Sequence, residues 1–88
     1  MKVHSTAIIH DKSKIDDSVE IGPFCIIDED VEIKKGTKLL SHVVLRGPTT
    51  IGEDNVFYQF STIGEDTPDK KFKGEKTKLE IGDRNIFR

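Results

Sequence analysis

The 88-residue chain has no apolar run long enough to cross a bilayer, and residues 1–8 lack the charged and apolar regions of a signal peptide. A membrane span is therefore not expected, and the cytoplasm is the expected compartment. Positive charge is not in excess either: 14 Lys and Arg stand against 16 Asp and Glu, for a net charge of −2, which argues against nucleic acid as a partner. With 34% hydrophobic and 34% charged residues, the chain makes one domain at most and cannot build a broad core. Arrangements that carry chemistry are also missing. His4, His10 and His42 have no spacing typical of a zinc site, no serine sits in a nucleophile elbow, and no glycine pattern makes a phosphate loop. Neither a metal nor a cofactor is expected. The carboxylates of Asp16-Asp17 and Asp28-Glu29-Asp30 read as ordinary turn formers, and the histidines as surface residues.

What the chain does have is a period of six. Large apolar residues return at Val3, Ile9, Ile15, Ile21, Ile27, Ile33, Leu39, Leu45, Ile51, Phe57 and Ile63. Four residues after each of the first ten comes a small or slender one: Ala7, Ser13, Val19, Cys25, Val31, Thr37, Val43, Thr49, Asn55 and Ser61. A helical face would need steps of three and four, and an ordinary strand would alternate at length, so neither fits. Short strands separated by turns do fit, with both columns pointing inward and polar residues outward. This is the hexapeptide repeat of a parallel β-helix, an all-β solenoid in which each coil buries its face on the next. Three hexads would close a triangular coil of eighteen residues, so Val3, Ile21, Leu39 and Phe57 should stack, and likewise Ile9, Ile27, Leu45 and Ile63, and Ile15, Ile33 and Ile51. The lone cysteine, Cys25, falls in the small inward column, where a buried reduced thiol is expected.

Gly22-Pro23, Lys35-Gly36 and Gly47-Pro48 mark turns. Around Leu39 to Val44 the outward positions are more apolar than solvent requires, and Leu40 and Val44 are candidates for a patch that meets another subunit. After Ile63-Gly64 the rhythm stops, because Asp69 and Glu75 occupy the next two large positions. It resumes in phase at Ile81. A loop of about 65–80 is thus expected to project from one corner, with Ile81 stacked on Ile51 and Phe87 on Phe57. Lys70, Lys71, Lys73, Lys76 and Lys78 give the loop a basic character suited to phosphates or an acidic partner, or simply to solvation. The coil that begins at Arg88 is unfinished and uncapped. On that ground the 88 residues are expected to be the N-terminal coils of a longer protein.

Taken in order, IGPFCII at 21–27, SHVVLRG at 41–47, YQFSTIGE at 58–65, the D-x-K-F of Asp69, Lys71 and Phe72, GExT at 74–77 and EIGDRN at 80–85 resemble one family. It is the UDP-N-acetylglucosamine O-acyltransferases that begin lipid A biosynthesis. The resemblance implies a left-handed parallel β-helix, although the usual crossover is right-handed. It also implies a homotrimer with active sites in the clefts between subunits. Substrates would be acyl carrier protein bearing a 3-hydroxyacyl chain and UDP-N-acetylglucosamine, acylated at its 3-hydroxyl. By the same resemblance Asp69 binds the sugar nucleotide and Lys71 lies near the reacting groups, while Pro68 replaces the family's glutamine. The family's general-base histidine, its further coils and its C-terminal helical domain have no counterpart among these residues, so no catalytic residue is assigned to them and the 88 residues alone are expected to be inactive.

Other uses of the scaffold differ in their needs. Hexapeptide acetyltransferases take acetyl-coenzyme A, and a γ-type carbonic anhydrase needs three zinc histidines. A binding solenoid of the ice-binding kind wants a repeated outward Thr column, which Thr49-Thr50 do not supply.

Overall fold

A computed structural model describes residues 1–64 and 78–88. In chain order its strands are β1 (Lys2–Val3), β2 (Ile8–Ile9), β3 (Lys14–Ile15), β4 (Glu20–Ile21), β5 (Ile26–Ile27), β6 (Val31–Ile33), β7 (Lys38–Leu39), β8 (Val44–Leu45), β9 (Thr49–Ile51), β10 (Val56–Phe57), β11 (Thr62–Ile63), β12 (Leu79–Ile81) and β13 (Ile86–Phe87). Every third strand joins the same sheet. The first sheet runs β1-β4-β7-β10-β13, the second β11-β8-β5-β2 and the third β12-β9-β6-β3, all with parallel pairing. Among the described residues there is no helix. The result is a three-sided β-solenoid.

Register follows the eighteen-residue arithmetic. Val3 pairs with Ile21, Ile21 with Leu39 and Leu39 with Phe57. Across the interruption, Ile81 pairs with Ile51 and Phe87 with Phe57, as the phase predicted. The end of the loop differs from the sequence reading, which ran it to residue 80. Leu79 and Glu80 already belong to β12, opposite Thr49 and Thr50, because the Leu79 N–H reaches the Pro48 carbonyl at 3.0 Å and starts the ladder there.

The two inward columns meet in a narrow core. Ile21, Ile27, Ile33, Leu39, Leu45, Ile51 and Phe57 are buried with Val19, Cys25, Val31 and Val43 between them. Their polar companions are satisfied in place. The Thr37 hydroxyl donates to the Gly52 carbonyl at 2.9 Å and its oxygen accepts the Asn55 N–H at 3.2 Å. The Asn55 amide donates to the Gly82 carbonyl at 2.7 Å while its oxygen accepts the Asn85 N–H at 2.8 Å. A fully buried asparagine thus ties the last two coils together at almost no unpaired polar cost.

At several turns the residue just before the small column takes the left-handed backbone conformation, though Thr6, Lys12, Ser18 and Pro48 do not. Gly36 does so at φ 78°, and Asp30 and Asp54 at 60° and 57°. Bulky residues do so as well: Phe24 (59°), His42 (52°), Phe60 (67°) and Arg84 (58°). Gly22 needs its missing Cβ for another reason, since one there would overlap the Leu40 carbonyl of the next coil.

Candidate functional site

Asp69 and Lys71, the two substrate-contacting positions inferred from sequence, lie outside the described residues. The structure does define the frame from which their segment departs and to which it returns. On the departing side, β11 sets Ile63 against Leu45, and the Arg46 N–H donates to the Ile63 carbonyl at 3.0 Å. Gly64 follows at φ 80°, in a space where a Cβ would overlap the Arg46 carbonyl. On the returning side, Leu79 begins β12 against Thr49. Both ends therefore sit at the corner between the second and third sheets.

That corner carries charge of both signs. Below Gly64, the Arg46 guanidinium donates to Asp28 Oδ2 at 3.0 Å, a half-exposed pair worth little to stability but able to fix the arginine's direction. Beside Lys78, an open groove of about 240 Å³ on the third sheet is lined by Lys12, Lys14 and Lys78 together with Asp30 and Glu32. The Thr50 hydroxyl in its wall is buried and has no hydrogen-bond partner among the described residues.

The three outer faces differ. Outward residues run Lys2, Glu20, Lys38, Val56 and Ile86 on the first sheet and Lys14, Glu32, Thr50 and Glu80 on the third. On the second they run Ile8, Ile26, Val44 and Thr62. Next to that apolar face, at the corner with the first sheet, the rings of Phe24, His42 and Phe60 form a ladder with centroid separations of 5.1 and 5.0 Å. Phe24 is 56% exposed and Phe60 76%, and Leu40 stands nearby at 39%. The sequence reading singled out Leu40 and Val44 from this patch but missed Phe24 and Phe60, which look like turn residues. Their eighteen-residue spacing through His42 was the available signal.

Nucleophilic chemistry is not offered by Cys25. It is buried in the small column, and burial raises its thiol above the ordinary value, against weaker opposing hydrogen bonds from the Val43 and Gly22 backbone. No group of three His, Cys, Asp or Glu side chains able to hold a metal is found among the described residues. No described helix is long and apolar enough to cross a membrane.

The chain matches no family model. Its similarity to individual proteins is nevertheless extensive. It is 56% identical over 86 residues to an acyl-[acyl-carrier-protein]–UDP-N-acetylglucosamine O-acyltransferase of Saccharophagus degradans, covering 98% of this chain and 33% of that protein. It is 48% identical over 87 residues to the corresponding protein of a Psychrobacter species, covering 99% and 34%. Among solved structures, the UDP-N-acetylglucosamine O-acyltransferase of Moraxella catarrhalis superposes with a TM-score of 0.92 at 48% identity, over 100% of this chain and 34% of that one. A further UDP-N-acetylglucosamine acyltransferase gives 0.93 at 40% identity, with the same coverage. The solenoid is thus the left-handed parallel β-helix of those proteins. By sequence and by fold, the whole chain is similar to acyl-[acyl-carrier-protein]–UDP-N-acetylglucosamine O-acyltransferases, about a third of whose length it spans.

Proposed function

We propose that these 88 residues are the N-terminal coils of an enzyme that moves a 3-hydroxyacyl chain from acyl carrier protein to the 3-hydroxyl of UDP-N-acetylglucosamine, the first step of lipid A biosynthesis. The observation that carries the reading is the 56% identity to a protein of that name across 98% of the chain. A hexapeptide period alone would support only the scaffold.

In this reaction the sugar hydroxyl attacks the thioester carbonyl, the new C–O bond forms as the C–S bond breaks, and the hydroxyl proton passes through a general base to the departing thiol. The base is a histidine from outside these 88 residues. Asp69 holds the sugar nucleotide by accepting hydrogen bonds, and Lys71 sets a positive charge beside the reacting groups, where negative charge grows on the carbonyl oxygen. Both belong to the segment between Gly64 and Lys78 in the sequence. Neither a cofactor nor a metal takes part.

The apolar face of the second sheet supports a homotrimer, with Ile26, Val44 and the Phe24-His42-Phe60 ladder covered by neighbouring copies. The cytoplasm is the proposed compartment.

The test is an acyl-transfer assay on the intact parent protein, offering the acyl chain on acyl carrier protein or on coenzyme A. Turnover with the carrier protein and UDP-N-acetylglucosamine is expected, with Asp69→Ala and Lys71→Ala each lowering kcat/KM by about 100-fold or more. Transfer from coenzyme A alone would assign the chain to the hexapeptide acetyltransferases instead. The isolated 88 residues should show no turnover.

A further inference from the structure

Two turns of the solenoid are tied by the same hydrogen-bond device built from different residues. In one, Asp16 Oδ1 accepts the Ser18 N–H at 2.9 Å and the Ser18 hydroxyl at 2.8 Å. The Ser18 oxygen in turn accepts the N–H of Gly36 on the next coil at 2.8 Å. In the other, His4 Nδ1 stands where the carboxylate stands. The Thr6 N–H lies 3.2 Å from it and the Thr6 oxygen 2.9 Å, and that oxygen accepts the N–H of Phe24 on the next coil at 2.9 Å.

An imidazole nitrogen accepts only when it is bare, so this geometry requires a neutral His4 with its hydrogen on Nε2. A second proton would go to Nδ1, and the two bonds there would respond differently. The hydroxyl bond can reverse, since the Thr6 oxygen has a lone pair left to accept Nδ1–H. The Thr6 N–H cannot reverse. It would be left pointing at another donor.

We propose that His4 makes the turn of the first coil a proton-operated clasp, closed while its imidazole is neutral and opened at the Thr6 N–H when it is charged. The Asp16 clasp stays shut through the same change. Its Ser18 N–H bond, followed by the Ser18 hydroxyl bond, lowers the Asp16 carboxyl from its ordinary value, so it remains ionised while an imidazole titrates. The charged groups lining the same groove as His4 are Lys2 on β1, Glu20 on β4 and Lys38 on β7. His10 behaves otherwise. Its Nδ1 accepts the Lys12 N–H at 3.1 Å, but Asp11 Oδ1 lies 3.2 Å away and gives the protonated ring a partner.

The experiment is nuclear magnetic resonance on the intact protein between about pH 7.5 and 5, the range in which imidazoles change charge. Long-range nitrogen–proton spectra should show a bare Nδ1 on His4 at the upper end. Corrected for the intrinsic pH dependence, exchange of the Thr6 amide should quicken by about five-fold on acidification while that of Ser18 holds steady. His4→Asp should keep Thr6 protected throughout and abolish the response. If that variant does not fold, His4→Asn carries the same expectation. A hydrogen on Nδ1 at neutral pH, parallel behaviour of Thr6 and Ser18, or a response that survives in the substituted protein would each overturn the proposal.

Discussion

Behind the outer surface of β2, β5, β8 and β11 stand Ile9, Ile27, Leu45 and Ile63, and behind that of β3, β6, β9 and β12 stand Ile15, Ile33, Ile51 and Ile81. The interiors are interchangeable in kind. In front, the first surface carries Ile8, Ile26, Val44 and Thr62, and the second Lys14, Glu32, Thr50 and Glu80. Because successive strand residues point to opposite sides, the inward set can specify the coil while the outward set specifies what the coil meets. One face is apolar, the other polar.

The sharpest way to test the shared interior is to remove the same side chain behind each face. Ile27→Ala and Ile33→Ala, both about fully buried, should each cost about 2–5 kcal/mol in denaturant unfolding, and by similar amounts. A large gap between them would mean that the faces are not equivalent inside. Next in size is Asn55→Ala, which leaves the Gly82 carbonyl and the Asn85 N–H without their partners. A loss of about 1–3 kcal/mol is expected, with faster amide exchange at Asn85 as its local signature.

The outer contrast calls for substitutions that leave the interior alone. Val44→Lys or Ile26→Lys should disperse the proposed trimer in sedimentation, whereas Thr50→Lys on the other face should leave the assembly intact. Smallest is the acid limb. The folded Asp16 carboxyl is lowered mainly by the Ser18 backbone bond, so its contribution is present above the unfolded carboxylate value of about 4 and lost as pH falls through the lower folded one. Asp16→Ala should therefore flatten that part of a stability-against-pH curve, and an unchanged slope would remove the carboxylate from the account.

The inward columns were legible from sequence because a large residue every six places has few other uses. Even the phase of Ile81 and Phe87 after the interruption could be read. Three things could not. Left-handed turn positions ordinarily call for Gly, Asn, Asp or His, as at Gly36, Asp30, Asp54 and His42, and nothing local marks Phe24 or Phe60 for that conformation. Their ring contacts across coils accompany the unfavourable backbone, and such contacts appear only once the coils are stacked. Ile8 falls in neither inward column of the sequence, yet it continues the outward column of Ile26 and Val44. Leu79 and Glu80 looked like loop because Leu79 is a large residue in a small-residue column, and it remains 41% exposed in the strand. As for the proposed site, Asp69 and Lys71 were singled out only through motifs resembling a family, since neither periodicity nor spacing gives a lone aspartate and lysine a role.

The insertion between Ile63 and Ile81 adds twelve residues to the ordinary step of six, and the strands on either side keep their partners as if nothing had been added. Such a junction behaves as a socket. A segment seated there can be lengthened, shortened or exchanged without re-registering a single coil, and doubling a flexible loop costs only about 0.6 kcal/mol in closure entropy. Lineages sharing this prism could therefore trade reactive segments at one corner while inheriting the scaffold unchanged, and a designer could graft there with the same freedom.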